Sequence, residues 1–164
     1  MRKIALTGKA RAGKDMIATR LMFEHNYEVT AFADAMKRAF HTTFPWIPSE
    51  PKPRAEYQRF GEDMRRLYGE DIWVKHVEGK LAFVKRYTRA AGIVISDLRL
   101  PVEYEWCRKN GFEIIRVSAP DNVRLARAKR LGDDFKTEDF EHDTESYVDE
   151  FEVDYEIVNG GDLE

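Results

Sequence analysis

The sequence predicts an α/β domain with three layers, in which helices cover both faces of a mostly parallel sheet. Short apolar runs alternate with segments of helical periodicity along most of the chain. The run Gly92–Asp97 is apolar enough to be a strand buried on both faces. A glycine-rich turn joins the first strand directly to the first helix. The length of 164 residues is typical of one domain, which we place at 1–164.

In the first half, apolar spacing predicts two strand–helix pairs and then two further helices. Ile17, Leu21 and Met22 recur at helical spacing after the glycine-rich turn. Prolines from Pro45 to Pro53 break the chain into a loop. The predicted elements are, in order, a strand at Lys3–Thr7, a helix at Met16–Glu24, a strand at Glu28–Phe32 and helices at Ala33–Phe40, Arg54–Leu67 and Ile72–Arg86.

The second half continues the alternation after the buried strand. Pro101 stands where a helix can begin, because proline fits the first helical turn. The polar segment Gly132–Glu145 lacks periodicity and is predicted to be irregular. The remaining predicted elements are a helix at Pro101–Lys109, a strand at Phe112–Val117, a helix at Asp121–Leu131, a strand at Asp154–Val158 and a turn at Asn159–Gly161.

The composition excludes several classes of protein. A single cysteine, Cys107, rules out an intramolecular disulfide framework and a multi-cysteine zinc site. The four histidines form no HxxH or HExxH pair. No apolar run reaches the ~18–20 residues of a membrane span, and the N-terminal residues do not resemble a signal peptide. We therefore expect a soluble, cytoplasmic protein without a membrane partner.

The net charge of −3 conceals an uneven distribution. Residues 1–131 carry 26 Lys and Arg against 16 Asp and Glu, whereas residues 132–164 carry one Lys against 14 acidic residues. The basic body is suited to anionic ligands, and the acidic tail either is solvated or screens that field. The basic residues are dispersed and accompany no nucleic-acid-binding motif, so we expect no nucleic-acid partner.

The strongest motif is the run GKARAGKD between the first strand and the first helix, which matches the G-x-x-x-x-G-K pattern of a P-loop. Gly8 and Gly13 allow backbone angles that turn successive N–H groups toward a phosphate. The helix adds the positive end of its dipole, and Lys14 supplies a point charge for the β- and γ-phosphates. The alternative is a glycine-rich turn without a ligand. The predicted nucleotide-binding residues are Gly8, Lys9, Ala10, Arg11, Ala12, Gly13, Lys14 and Asp15.

Asp15 stands where the usual P-loop has a serine or threonine that binds magnesium. A carboxylate can also bind Mg²⁺, since this hard cation prefers oxygen ligands. The same carboxylate places negative charge close to the phosphates, which is costly without the metal. Either nucleotide binding depends more tightly on Mg²⁺, or metal binding has been lost.

Several motifs together resemble the phage-type deoxynucleoside monophosphate kinases. This chain has GKD at the end of the P-loop, FAD-x-x-K at Phe32–Lys37 and SD-x-R-x-P-x-E at Ser96–Glu103. Members of the family typically read SGK-x-x-SGKD, FADPLK and ISDVRFPNE. Residues 58–74 match as well, and the end of the chain resembles the closing D-Y-x-I-x-N-x-G. The resemblance covers most of the chain, in the right order.

This resemblance implies an adenylate kinase-like fold and ATP-dependent phosphoryl transfer to a (deoxy)nucleoside 5′-monophosphate. It implies ATP and Mg²⁺ as cofactors, small-molecule partners, an acceptor-binding region at about 33–75 and a mobile lid at about 127–145. The P-loop and the S-D-x-R strand also resemble animal-type phosphomevalonate kinases, so the acceptor stays open. A nucleotide-binding regulatory module without catalysis is a further alternative, because pure binding needs only the P-loop.

The matched positions imply a set of site residues. The catalytic residues are Lys14, Arg99, Arg127 and Arg130, of which the last two lie on the lid. Asn159 joins the nucleotide-binding residues. The acceptor-binding residues are Asp34, Lys37, Arg38, Arg65, Asp97 and Arg99, and the magnesium ligands are Asp15 and Asp97.

A purely structural role is the alternative for each of these residues. Arg38 and Arg65 are equally consistent with helix-surface charges, and Asp34 with a helix cap. Asp97 is also suited to pair with Arg99, which follows the carboxyl end of a buried strand, where open α/β sheets bind ligands. Arg124, Arg127 and Arg130 recur every third residue and also fit a solvated basic face. The aromatic residues near the proline-rich loop either pack in the core or line a base pocket: Phe40, Phe44, Trp46, Tyr57 and Phe60.

Overall fold

The computed structural model describes residues 1–130 and 143–161 of the chain. They form a five-stranded sheet in which every neighbouring pair is parallel, in the order β2-β3-β1-β4-β5. The strands are β1 (Arg2–Thr7), β2 (Tyr27–Thr30), β3 (Gly92–Leu98), β4 (Glu113–Ser118) and β5 (Tyr155–Val158).

Helices connect the strands, as parallel pairing requires. The helix α1 leads from β1 to β2, α5 leads from β3 to β4, and three helices lie between β2 and β3. The helices are α1 (Lys14–His25), α2 (Phe32–Thr43), α3 (Arg54–Tyr68), α4 (Ile72–Tyr87), α5 (Pro101–Lys109), α6 (Asp121–Arg130) and α7 (Asp143–Glu150).

The strand order places a crevice at the carboxyl ends of β1 and β3. These strands are neighbours, with Ile4 beside Val94. The chain leaves β1 toward β2 on one side and leaves β3 toward β4 on the other. Because crossover connections are right-handed, the helices that follow β1 and β3 lie on opposite faces of the sheet. Open α/β sheets bind ligands at such a switch point.

The core lies on both faces of the sheet, since alternate residues of a strand point to opposite faces. On one face, Ile4, Leu6 and Val94 pack with Ala18 of α1. The other face packs mainly against α4 and α5, through Ala5, Ile93, Ile95, Ile114, Val77, Leu81, Val84 and Cys107. The predicted three-layer α/β/α fold is confirmed.

Cys107 belongs to this core and is completely buried. Burial raises the pKa of its thiol, so the residue packs as a small apolar side chain. No helix of the described residues is both long enough and apolar enough to cross a membrane.

Acidic residues near the end of the chain pair with the basic body. Asp154, just before β5, accepts two hydrogen bonds from Arg108 at 2.9 and 2.8 Å and one from the Ile114 N–H at 2.7 Å. The Arg108 guanidinium lowers the pKa of Asp154. Asp149 of α7 lies 2.9 Å from Lys9 of the P-loop. These two acids therefore contact the basic body of the domain.

The sequence located most elements to within a few residues and was wrong in two places. Phe32 begins α2 instead of ending β2, because the Asp97 carboxylate accepts its N–H at 2.7 Å. The helix α7 was missed, and its first three residues fall in the segment Gly132–Glu145 that was predicted to be irregular. The rest of that segment, 132–142, lies outside the described residues, as does most of the predicted lid at 127–145.

We expect Gly92→Ala to lower the free energy of unfolding by about 1–3 kcal/mol, the usual cost of overpacking a core. A Cβ at Gly92 would lie 2.4 Å from the Tyr27 ring and 2.7 Å from the Arg2 carbonyl oxygen. Gly79 of α4 is the control, because its Cβ would meet nothing within 4 Å. Gly79→Ala should add about 0.5–1 kcal/mol through helix propensity. Urea denaturation measures both, and an unchanged midpoint for Gly92→Ala would contradict the packing described.

Candidate active site

A cleft of about 710 Å³ opens at the carboxyl ends of β1 and β3, where the strand order predicts a ligand site. The P-loop forms one wall, the start of α2 and the helix α3 form the facing wall, and the residues after β3 form the floor. Among the residues that the structure describes, eight basic and five acidic ones line it. The basic residues are Arg11, Lys14, Lys37, Lys52, Arg54, Arg65, Arg99 and Arg127.

The P-loop has the backbone conformation that its glycines predicted. Gly8 has a φ of 133° and Gly13 a φ of 104°, and a Cβ at Gly8 would lie 2.1 Å from the Val117 carbonyl oxygen. Between them, Arg11 adopts a left-handed conformation with a φ of 63°. Such alternation turns successive N–H groups toward one point and creates an anion-binding concavity.

Lys14 begins α1 at the closed end of this loop and is only 7% exposed. Its Nζ donates hydrogen bonds to the carbonyl oxygens of Gly8 and Lys9, at 2.6 and 2.9 Å. The ammonium group is therefore held at the centre of the P-loop. The helix dipole of α1 adds positive potential at the same place.

The other predicted nucleotide-binding residues surround the loop. Ala12 is buried, and its carbonyl oxygen accepts a hydrogen bond from Asn159 Nδ2 at 3.0 Å. Asn159 and Ala10 line the cleft. Burial and the nearby Arg54 lower the pKa of Arg11. Arg11 and Arg54 come from opposite walls, so like charges face each other across the cleft.

Asp15 lies in the first turn of α1, exposed, and lines the cleft beside Lys14. Among the residues that the structure describes, no three His, Cys, Asp or Glu side chains converge on a metal site. Magnesium in phosphoryl-transfer sites takes one or two carboxylates and completes its shell with phosphate oxygens and water. The Asp15 carboxylate fits this kind of ligation.

Asp97 is the penultimate residue of β3 and connects this strand to α2. Its two carboxylate oxygens accept hydrogen bonds from the backbone N–H groups of Phe32 at 2.7 Å and Ala33 at 3.0 Å. Burial raises the pKa of Asp97, against the effect of these N–H groups and of Arg99. The structure thus shows Asp97 capping the N-terminus of α2, whereas metal binding by this residue stays a prediction.

Asp34 also serves the start of α2. Its Oδ2 accepts a hydrogen bond from the Ala31 N–H at 3.0 Å, which is the helix-cap alternative that the sequence left open. Asp34 nevertheless lines the cleft, and Lys37 lines it one turn further along α2. Arg38 is not among the lining residues; it borders a separate cavity of about 200 Å³ with His76 and Lys80.

Arg99 and Arg65 reach the cleft from different elements. Arg99 follows β3, and Arg65 lies on α3 with 19% of its side chain exposed. The Arg65 Nε lies 3.9 Å from Glu70. Lys37, Arg65 and Arg99 therefore line one wall and the floor, and their assignment to the acceptor stays a prediction.

Glu103 is a residue of the cleft to which the sequence assigned no role. It is 6% exposed, and its Oε2 accepts hydrogen bonds from the N–H groups of Arg99 and Leu100, both at 3.0 Å. Burial and the neighbouring Asp97 raise the pKa of Glu103 to about 8. The signal was present in the S-D-x-R-x-P-x-E run, since a glutamate at the third helical position typically accepts hydrogen bonds at the helix start.

Lys52 and Arg54 also line the cleft and were not predicted as site residues, and Tyr57, for which the sequence left a base-pocket role open, lines it as well. They follow the proline-rich loop directly, which was the available signal. The remaining aromatic residues near this loop do not line the cleft: Phe40 is buried against Phe44, Tyr57 and Phe60, and Trp46 is 73% exposed.

The arginines of α6 occupy different surroundings. Arg124 and Arg127 are 3% and 8% exposed, so a solvated basic face is the wrong interpretation for these two. Arg127 lines the cleft beside Asn159, and its Nε has no hydrogen-bond partner among the described residues. Arg130, at the end of α6, is exposed and does not line the cleft.

No protein-family model and no curated protein sequence matches the chain. Solved structures do match. TT1252 from Thermus thermophilus shares 19% identity at a TM-score of 0.61, over 98% of this chain and 91% of that chain. Shikimate kinase from Acinetobacter baumannii, in complex with shikimate, shares 14% identity at a TM-score of 0.58, over 99% of this chain and 86% of that chain. The tunicamycin resistance protein of Deinococcus radiodurans shares 18% identity at a TM-score of 0.58, over 98% of this chain and 88% of that chain. The chain therefore shares the fold of these three proteins.

The raised pKa of Glu103 gives a prediction for stability. A carboxyl group whose pKa is higher in the folded protein stabilises the fold below its unfolded pKa of about 4.5 and loses that contribution as the pH rises to about 8. Glu103→Gln keeps an oxygen for the two backbone N–H groups and cannot ionise. Its unfolding free energy should therefore rise relative to the wild type between about pH 5 and pH 8.

Urea denaturation at several pH values measures this difference. Glu105→Gln, an exposed position on the same helix, is the matched control. Parallel stability curves for Glu103→Gln and the wild type would show that Glu103 does not titrate in this range.

Proposed function

We propose that this protein transfers the γ-phosphoryl group of ATP to a (deoxy)nucleoside 5′-monophosphate, giving ADP and the nucleoside diphosphate. The observation that supports this most is the presence of cations on opposite walls of one cleft. Lys14 and Arg11 belong to the P-loop wall, while Lys37, Arg65 and Arg99 lie across from it or on the floor. Two phosphate-bearing molecules that must react need such a distribution.

ATP would bind with its phosphates in the P-loop. The backbone N–H groups between Gly8 and Lys14 would donate to the phosphate oxygens, and Lys14 would exchange its bonds to loop carbonyls for bonds to phosphate. Mg²⁺, held by Asp15 and the phosphates, would neutralise part of the negative charge on the β- and γ-oxygens.

The acceptor phosphate would bind opposite the P-loop. Arg65 and Arg99 suit this role, because a guanidinium group can bind a phosphate through two parallel hydrogen bonds. Lys37 adds a point charge from α2. The cations would thus screen the repulsion between the two substrates and hold them in line for transfer.

A phosphate acceptor is consistent with the engagement of three cleft carboxyl groups in the fold. A hydroxyl acceptor needs a general base to remove its proton. Asp34, Asp97 and Glu103 accept hydrogen bonds from backbone N–H groups at helix starts and are engaged in holding the fold. A phosphate oxygen is already an anionic nucleophile near neutral pH, so these carboxylates need not act as a base.

Transfer then requires positioning and charge stabilisation alone. An oxygen of the acceptor phosphate forms a bond to the γ-phosphorus, while the bond from that phosphorus to the β–γ bridging oxygen breaks and ADP leaves. Lys14 and Arg99, which both line the cleft, would stabilise the charge on the transferring group from its two sides. Arg127 and Arg130 remain the predicted lid cations.

The proposal that the acceptor phosphate is attached to a nucleoside is supported by the motif resemblance and by two lining residues. Tyr57 offers a ring for stacking, and Gln58 offers an amide that can both donate and accept hydrogen bonds. A phosphomevalonate-like acceptor would also carry the phosphate that the cations suit. Nucleoside recognition is favoured because it uses the ring and the amide as well.

A coupled ADP-release assay with Mg-ATP tests the proposal. The panel comprises all ribo- and deoxynucleoside monophosphates and phosphomevalonate, with Lys14→Ala as the blank. We expect turnover with one or a few nucleotides. Turnover with phosphomevalonate alone would contradict nucleotide specificity, and ATP binding without turnover on any acceptor would favour a regulatory module.

Substitutions of single cations test which wall of the cleft binds ATP and which binds the acceptor. Lys14→Ala should abolish transfer and retain the fold. Arg99→Ala should lower kcat/KM for the acceptor about 10- to 100-fold, the loss expected for charge-assisted hydrogen bonds. ATP affinity should change little. Arg59→Ala, an exposed cation of α3 away from the cleft, is the matched control. Loss of ATP binding in Arg99→Ala would refute this assignment.

A further inference from the structure

Three consecutive carbonyl groups of the P-loop accept hydrogen bonds from outside the loop. The Arg124 Nε donates to the Ala10 oxygen at 2.8 Å. A terminal nitrogen of Arg127 donates to the oxygens of Arg11 and Ala12 at 3.2 and 3.4 Å. Asn159 Nδ2 also donates to the Ala12 oxygen, at 3.0 Å. We call the side chains of Arg124, Arg127 and Asn159 the carbonyl clamp.

Two members of the carbonyl clamp, Arg124 and Arg127, are buried, and Arg127 also contacts the half-buried Asn159. The second terminal nitrogen of Arg127 donates to the backbone and side-chain oxygens of Asn159 at 3.2 and 3.3 Å and to the Gly161 oxygen at 2.7 Å. Arg124 is 3% exposed and donates to Asp121 Oδ1 at 2.9 Å. The clamp therefore joins α6, the turn after β5 and the P-loop.

The clamp supplies hydrogen-bond donors to carbonyl groups of the P-loop that point away from the phosphate-binding side. The N–H groups of a P-loop point toward the phosphate, so carbonyl groups of the same peptides turn away and need donors of their own. Arg11 sits between the clamped carbonyls with a φ of 63°, a conformation that costs a non-glycine residue on the order of 1–2 kcal/mol. Such a conformation persists only when the surrounding structure over-determines it.

We propose that Arg124 is a positioning residue of the phosphate site, which holds the P-loop in its anion-binding conformation before nucleotide arrives. The proposal rests on the proposed function only in that the P-loop binds phosphates. Arg124 acts through the Ala10 carbonyl and does not itself line the cleft. Its position on α6 also connects the base of the predicted lid to the P-loop.

Two measurements on nucleotide-free and nucleotide-bound protein test this role. Hydrogen–deuterium exchange reports the opening of the loop without any ligand, and titration calorimetry with MgADP reports the affinity. The variants are Arg124→Met, which keeps the apolar stem and removes the donors, and Arg124→Lys, which keeps the charge and loses the planar fork. Lys129→Met, an exposed cation of the same helix, is the control.

In Arg124→Met, we expect amide exchange in the peptide covering residues 9–15 to rise about tenfold and MgADP affinity to fall about tenfold. Arg124→Lys should give intermediate values and Lys129→Met wild-type values. Exchange in β3 should stay unchanged in every variant, which a general loss of stability would not allow. If Arg124→Met fails to fold, Arg124→Lys decides by the same criteria.

Wild-type exchange in the P-loop of the folded Arg124 variants would overturn the proposal, and so would exchange that rises equally in β3 and in the loop. Unchanged MgADP affinity in variants whose loop does open would also overturn it. Absence of MgADP binding by the wild type would refute the proposed function instead, while the exchange measurement would still decide the role of Arg124.

Discussion

A peptide group cannot point its N–H and its C=O in the same direction, and this constraint organises the molecule around the first strand-to-helix turn. The P-loop turns its N–H groups inward with the help of Gly8, Gly13 and the left-handed Arg11. Its carbonyl groups then need donors, which come from Lys14 inside the loop and from α6 and Asn159 outside it. The proposed phosphate site is thus built from elements far apart in the chain.

Two buried carboxylates connect the remaining parts of the cleft. Asp97 joins the end of β3 to the start of α2, and Glu103 joins the residues after β3 to the start of α5. Each carboxyl group accepts backbone N–H groups at the start of a helix, while burial raises its pKa. Arg99 lies between them on the floor of the cleft. Hydrogen bonds therefore fix the backbone segments that carry the cations facing the P-loop.

The sequence predicted those features that depend on neighbours in the chain. The P-loop pattern located Lys14 in the cleft, and the apolar run of β3 placed Arg99 at the strand end that forms the cleft floor. The role of Asp97 could not be predicted, because its partner Phe32 lies 65 residues away. The spacing of Arg124 and Arg127 predicted that they share one face of α6. It gave no indication that this face would pack against carbonyl groups of the P-loop.

The helix α7 was missed for a related reason. Its sequence is acidic and has few apolar residues, so periodicity gave no signal. Tertiary contacts supply what local propensity lacks: Val148 is 1% exposed, and the Arg116 side chain donates to the carbonyl oxygens of Val148 and Asp149 at 3.3 and 3.2 Å. Helices of this kind depend on packing more than on propensity.

The proposed transfer requires that one cleft hold two phosphate-bearing molecules at the same time. Titration calorimetry of each nucleoside monophosphate into protein saturated with a non-hydrolysable ATP analogue and Mg²⁺ tests this requirement directly. We expect saturable binding of a preferred monophosphate, with one molecule per chain, while the analogue stays bound. Displacement of the analogue by the monophosphate would show a single anion site and would refute simultaneous binding.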